Sequence, residues 1–179
     1  MDWWVTAHKS TIRDLDTESL KYFWYIRHGS IFEKNYIHTG SIRDLNYAWH
    51  SYDFTISKNL IDKYCEILKE YKQNWYNNFV TMHAWDEYVT IHNDTQEKYA
   101  KKLIDCWADL IIWHHPHVIQ DIWWYKWKPI IYSLWNFLFD QDWSDNTQVW
   151  MWVLIDYNTN GTINIFTEER NVAAKKSKN

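Results

Sequence analysis

His114, His115 and His117 lie within four residues, directly after the apolar run Ala108–Ile112. That run reads as a buried strand, and α/β sheets place ligand sites just beyond the carboxyl ends of their strands. The His-x-His spacing of His115 and His117 lets two imidazoles reach one or two metal ions from a single loop. Neutral imidazole nitrogens suit Zn, Mn, Fe or Ni, and Pro116 between them stiffens the loop. A single strand-end histidine is more often a solvated loop residue; three within four residues point instead to metal or phosphate binding. His83 ends a second run, Phe79–His83. Two strand ends that present histidine to the same sheet edge can converge, which makes His83 a third ligand. Glu87, in the loop that follows, could orient a histidine or bind a cationic group, although a surface carboxylate fits its position as well. His8, His28, His38, His50 and His92 have no partner spacing and receive no role.

The surrounding elements alternate. From a cap at Ser57 to about Gln73, Leu60, Ile61, Tyr64, Cys65, Ile67, Leu68 and Tyr71 form one apolar stripe with charges opposite, the pattern of a helix lying on a sheet. A turn over 74–78, the strand Phe79–His83 and the loop Ala84–Asn93 follow. A second helix then spans Asp94 to Cys106, with Asp94 and Glu97 placed like a capping box and Tyr99, Ala100, Leu103 and Ile104 on one face. Helix, strand, helix, strand predicts an α/β fold with parallel strands. Upstream, Leu45–Trp49 reads as a short strand running into a loop from His50. Residues 1–44 carry no readable motif beyond a short helix around Thr17–Tyr25. Downstream, strands are predicted over 129–133, 137–139, 149–157 and 162–167, the last two joined by a hairpin turn at Asn158–Gly161.

The segment 108–141 is similar, almost residue for residue, to the bacterial capsule synthesis family CapA, associated with poly-γ-glutamate. Ala-Asp-Leu-Ile-Ile-Trp-His-His-Pro-His-Val, Tyr-Lys-Trp-Lys and Tyr-Ser-Leu-Trp-Asn-Phe-Leu-Phe-Asp-Gln each follow the family pattern, with tryptophan wherever the family has glycine. His83-Ala-Trp-Asp-Glu-Tyr resembles a further family motif, with Trp85 at the glycine. The resemblance implies a metallophosphatase-like layered α/β/β/α sandwich, of which this chain holds the C-terminal part. It also implies His83, His115 and His117 as ligands of a divalent metal ion of the Mn, Fe or Zn class, and His114 as proton donor or oxyanion contact. Glu87 and Asn136 complete the implied catalytic set, Asn136 contacting a substrate oxygen or holding the histidine loop; Asp140 and Gln141 shape that loop. The family's upstream Gly-Asp and Asn-Asn-His-x-x-Asp motifs do not occur in residues 1–60. The expected organisation is an N-terminal segment 1–44, a CapA-like domain 45–167 and a polar tail 168–179.

The chain has 15 Trp and 3 Gly in 179 residues, whereas ordinary proteins carry roughly 7% Gly. Local physics points the same way. At Trp107 a helix must turn into a strand within a residue or two, which calls for a left-handed position where a Cβ is penalised. Trp127 in Tyr-Lys-Trp-Lys-Pro occupies a turn that needs positive φ. Such a pattern arises if a gene that reads UGA as glycine is translated with a code that reads it as tryptophan. Trp85, Trp107, Trp113, Trp127 and Trp135 are the positions concerned, whereas Trp3 and Trp143 have no glycine-like context. A genuine tryptophan at 113 or 135 is expected to crowd the histidine loop.

A formal charge of −4 leaves no basic footprint for nucleic acid. Cys65 and Cys106, both on predicted helices beside apolar residues, read as two isolated core thiols. No signal peptide or apolar run of membrane-spanning length is present; a cell-envelope location is implied by the resemblance alone. Three readings follow. The first is a capsule or poly-γ-glutamate synthesis protein with a His-lined metal site, phosphoesterase-like if active, whose partners are an anionic polymer or phosphate-containing small molecule and membrane-bound synthesis proteins. The second is a non-catalytic accessory or polymer-binding subunit. The third, an aromatic carbohydrate-binding module, leaves unexplained why tryptophan falls at turns and helix ends.

Overall fold

In a computed structural model of the chain, residues 36–42, 45–53, 61–83, 86–134, 144–157 and 162–171 are described. The strands β1 (Tyr36–Ile42), β2 (Leu45–Asp53), β3 (Asn77–His83), β4 (Ala108–His114), β5 (Ile122–Tyr125) and β6 (Lys128–Ile131) form one sheet in the order β1-β2-β3-β4-β6-β5. Its four central strands run parallel, and β1 and β5 flank them antiparallel. Helix α1 (Ile61–Gln73) crosses from β2 to β3 and α2 (Asp94–Asp105) from β3 to β4. The parallel α/β architecture expected from the sequence is therefore present. Among the described residues no helix is long and apolar enough to cross a membrane.

Both helices lie on the same face of the sheet. Ile61, Tyr64, Cys65 and Leu68 of α1 and Ala100, Leu103 and Ile104 of α2 pack on Val80, Met82, Ile111, Trp113 and Ile130. Side chains of opposite strand parity, Phe79, Leu110, Ile112 and Ile131, form a second core with Tyr47 and Met151. Val153, Ile155, Tyr157 and Ile165 of a second sheet lie against it. That sheet is the antiparallel pair β7 (Val149–Tyr157) and β8 (Ile163–Asn171). Helix, sheet and sheet are thus three layers of the expected sandwich; among the described residues no helix covers the outer face of the second sheet. The hairpin turn, the strand predicted over 137–139, the Ser57 cap and the N-terminal helix lie outside the described residues.

Several local expectations change. The β2 strand continues through His50 to Asp53 instead of looping out at His50, because β3 offers it a parallel ladder over its whole length. A strand at 36–42 was not visible in the sequence. The capping box of α2 is Asn93 with Gln96, one residue upstream of Asp94 with Glu97: the Asn93 side chain accepts from the Gln96 N–H, and the Gln96 side chain from the Asn93 N–H. Asn93 has the extended backbone of an N-cap (φ −98°, ψ 166°). Cys65 and Cys106 are not separate thiols but a disulfide, with Cα atoms 5.0 Å apart across 41 residues. The buried stripes of α1 and α2 meet on one face of the sheet, an adjacency that neither helix's sequence contains.

The turns bear out the glycine-like character of two tryptophans and add a third. Trp107, between α2 and β4, has φ 80°; Lys126 and Trp127, between β5 and β6, have φ 49° and 63°; Trp75, between α1 and β3, has φ 66°. Their side chains are exposed, at 55% for Trp107, 90% for Trp127 and 86% for Trp75. Trp113 behaves differently. It shares the parity of Ile111, points away from the histidine loop into the helix-side core, and is fully buried near Tyr132. The expectation that its bulk would crowd the loop is not met, because β4 alternation sends the side chain to the other side. Trp85 and Trp135 lie outside the described residues.

Candidate metal centre at the sheet edge

At the opposite, amino end of the parallel strands, Asn78 is held by every group of its side chain. Its Nδ2 donates to the carbonyls of Leu68 and Trp107, its Oδ1 meets His50 Nε2 at 3.0 Å, and its backbone N–H donates to Asp109. Lys72 and Lys128 flank the buried Asp109 carboxylate. This network fixes the starting register of β3 and β4, and so where both strands end.

They end together. Asp53, His83 and His114 are register partners at the carboxyl edge of β2, β3 and β4. His114, the last residue of β4, is pushed down to about 4 by desolvation. At neutral pH it is therefore a neutral imidazole, able to donate a hydrogen bond but carrying no imidazolium proton. The chain then turns sharply: His115 and His117 both take positive φ, at 107° and 57°. Non-glycine residues hold such geometry only where their surroundings over-determine it, and it recurs at functional sites. Here the surroundings include Tyr88, whose N–H donates to the Pro116 carbonyl at 2.7 Å and whose ring stacks on His117.

The result is a trio. Glu87 Oε1 lies 3.7 Å from His115 Nε2 and 3.8 Å from His117 Nε2, and one donor atom from each of the three falls within 4.8 Å of the others. Donors about 2.0–2.1 Å from a tetrahedral ion stand roughly 3.3 Å from each other, so the trio matches a divalent cation's coordination sphere to within a small inward movement. Burial lowers the His117 pKa, as does the charge of His115, while Glu87 raises it. The lowered value favours the neutral imidazole that a metal requires. His83 stands beside the trio with its ring edge-on to His115, centroids 4.7 Å apart.

Of the residues predicted from sequence, His115, His117 and Glu87 come together, His83 and His114 border them, and Asn136 lies outside the described residues with Asp140 and Gln141. Glu87 stands as a third donor, whereas the sequence reading gave that place to His83. Sequence reasoning missed His92, which pairs through Nδ1 with Asp121 at 2.7 Å, and the buried amides Gln96 and Gln120. A three-residue offset of the capping type at Asn93 and Gln96 was the available signal for one of these.

A parallel α/β sheet with a cluster of histidines and a carboxylate at its carboxyl edge defines a metallophosphatase-like class of fold. Residues 62–141 match the family described as bacterial capsule synthesis protein PGA_cap. The chain is 46% identical over 65 residues to the capsule biosynthesis protein CapA of Bacillus anthracis, a stretch covering 36% of this chain and 16% of that protein. It is likewise 45% identical over 65 residues to the PGA biosynthesis protein CapA of Bacillus subtilis (strain 168), covering 36% of this chain and 17% of the relative. The match therefore spans about a sixth of the length of these curated relatives.

Proposed function

We propose that this chain is the histidine-bearing portion of a protein of capsule or poly-γ-glutamate biosynthesis, acting at the cell envelope, with a divalent metal held by Glu87, His115 and His117. The observation that carries the reading is the approach of those three donors to within 4.8 Å of one another, on a segment whose relatives are named for capsule and PGA biosynthesis. A divalent ion bound there supplies Lewis-acid polarisation of a phosphoryl or acyl-phosphate oxygen. Around it, His114, neutral and on the adjoining strand end, donates a hydrogen bond to oxygen as negative charge develops there. His83 packs against His115 and restrains its ring, and remains available as a further ligand. Asn136 belongs to the same reading as a substrate-oxygen contact. The substrate class is a phosphate-containing small molecule or the anionic polymer, and the partners are membrane-bound synthesis proteins.

Metal analysis of purified protein tests the core of this. Stoichiometric uptake of Mn²⁺, Fe²⁺ or Zn²⁺ that disappears in the His115→Ala, His117→Ala double variant is expected. No uptake, or uptake indifferent to both substitutions, would end the metal reading. With a metal-binding chain in hand, hydrolysis of a phosphate monoester supports a phosphoesterase, while polymer binding without turnover supports an accessory subunit. The reading of Trp75, Trp107 and Trp127 as glycine positions is supported by their positive φ, and codons with peptide masses at those positions test it.

A further inference from the structure

The segment that carries Glu87 has little apolar anchorage. Tyr88, Val89 and Ile91 are all exposed, so apart from the ring contacts of Tyr88 with His117 and His92 with Tyr132, burial does little to decide where this loop sits. Polar bonds from the histidine loop do more. Gln120, three residues after His117, is buried, and its Nε2 donates to the carbonyls of Val89 at 2.8 Å and Ile91 at 3.3 Å. Its Oε1 accepts from Nε2 of Gln96, also buried, at 3.0 Å. Gln96 in turn accepts the Asn93 N–H at the start of α2. Beside this pair, Asp121 takes the His92 N–H at 3.1 Å and His92 Nδ1 at 2.7 Å. One short stretch, Gln120-Asp121, thus grips the far end of the Glu87 loop at His92 and two carbonyls between.

An apolar pair would fill the same interior volume without the desolvation cost of two amides, and a buried amide stabilises only when its partners are all in place. What the amides add is direction. We propose that Gln120, backed by Gln96, is a positioning residue: a clasp that fixes the 86–93 loop against the histidine loop and so sets Glu87 on His115 and His117. The inference rests on the metal reading for its consequence but not for its geometry.

Gln120→Met keeps the length and apolar bulk of the side chain and removes its amide. In hydrogen exchange of the full chain, Gln120→Met should lose protection at the Tyr88 and His92 amides while β3 and β4 stay protected. Zn²⁺ titration should show about tenfold weaker binding in Gln120→Met, the scale on which supporting residues act on metal sites. Glu87→Ala should weaken it comparably, and the double variant should bind no more weakly than Glu87→Ala alone. A residue with a purely structural role would give additive losses. Unchanged exchange in the loop overturns the clasp, and additive losses overturn its action on Glu87. A parent chain that binds no Zn²⁺ removes the metal reading instead, and the exchange result still decides the clasp. Should Gln120→Met fail to fold, Gln96→Met, which removes the backing amide together with the Gln96 side-chain half of the α2 capping box, takes the same measurements.

Discussion

Replacing three tryptophans with glycine should stabilise this chain, and replacing a fourth should damage it. Trp75, Trp107 and Trp127 hold φ of 66°, 80° and 63°, where a side chain with a Cβ costs about 1–2 kcal/mol per residue. Glycine removes that cost but adds unfolded-state freedom worth roughly 0.5–1 kcal/mol. Because the three indoles are exposed, little apolar burial is lost, and the net gain is on the order of 0.5–1 kcal/mol per site. For a chain of this size about 2 kcal/mol in total raises Tm by roughly 4–8 °C. Alanine at the same positions discriminates the cause: it removes the indole and keeps the Cβ, so the alanine triple variant should show none of the gain. Trp113, fully buried against the helix-side core, should behave oppositely, with Trp113→Gly losing about 3–5 kcal/mol through the cavity it leaves. Urea and thermal unfolding followed by circular dichroism read all three variants against the parent without relying on indole fluorescence. A glycine triple variant no more stable than its alanine counterpart would refute the argument from backbone geometry.

Acid should weaken the fold well before its carboxylates titrate. Burial pushes His50 to about 4 from an ordinary 6.5, and the unfolded chain therefore binds the proton first. Its contribution is complete above pH 6.5 and falls away as pH drops toward 4, by about 3 kcal/mol over that window. His114 adds a loss of the same sign. Urea midpoints at pH 7 and pH 5 should differ accordingly, and His50→Gln should remove its share; a flat profile would count against the buried neutral state. Cleaving the Cys65–Cys106 disulfide should also lower stability, by about 4 kcal/mol if the 41-residue separation is counted by chain entropy alone. Matched unfolding curves with and without reductant check this, and coincident curves would refute it.

The histidine loop was legible because its information is local. Three histidines after an apolar run state both the chemistry and the sheet edge that presents it, and His83 on β3 follows by the same rule. Trp107 and Trp127 were legible because a left-handed turn is a demand on one residue. The α2 capping box was missed by one position because Asn93 with Gln96 and Asp94 with Glu97 have the same spacing, and only backbone geometry separates them. Trp113 was misjudged for want of strand parity: had Ile111 been assigned to the helix side, Trp113 would have followed it. The Cys65–Cys106 bond, the Gln96–Gln120 pair and the His92–Asp121 pair join elements through tertiary packing, and no sequence spacing encodes them. The β1 strand was invisible for a related reason, since an edge strand containing Thr39, Gly40 and Ser41 carries little apolar alternation.

The bond between α1 and the end of α2 makes this chain two molecules rather than one. Disulfides persist in oxidising spaces and are kept open in a reducing cytosol. Made and held among reducing thiols, the chain carries two buried sulfhydryls and its helical layer coheres by packing alone. Matured in an oxidising space, it is lighter by two hydrogens, and the crossover units on either side of β3 are closed into a single covalent ring. The surroundings in which the chain matures, more than its residues, select between these forms, and material recovered from the two settings should not be assumed to unfold alike.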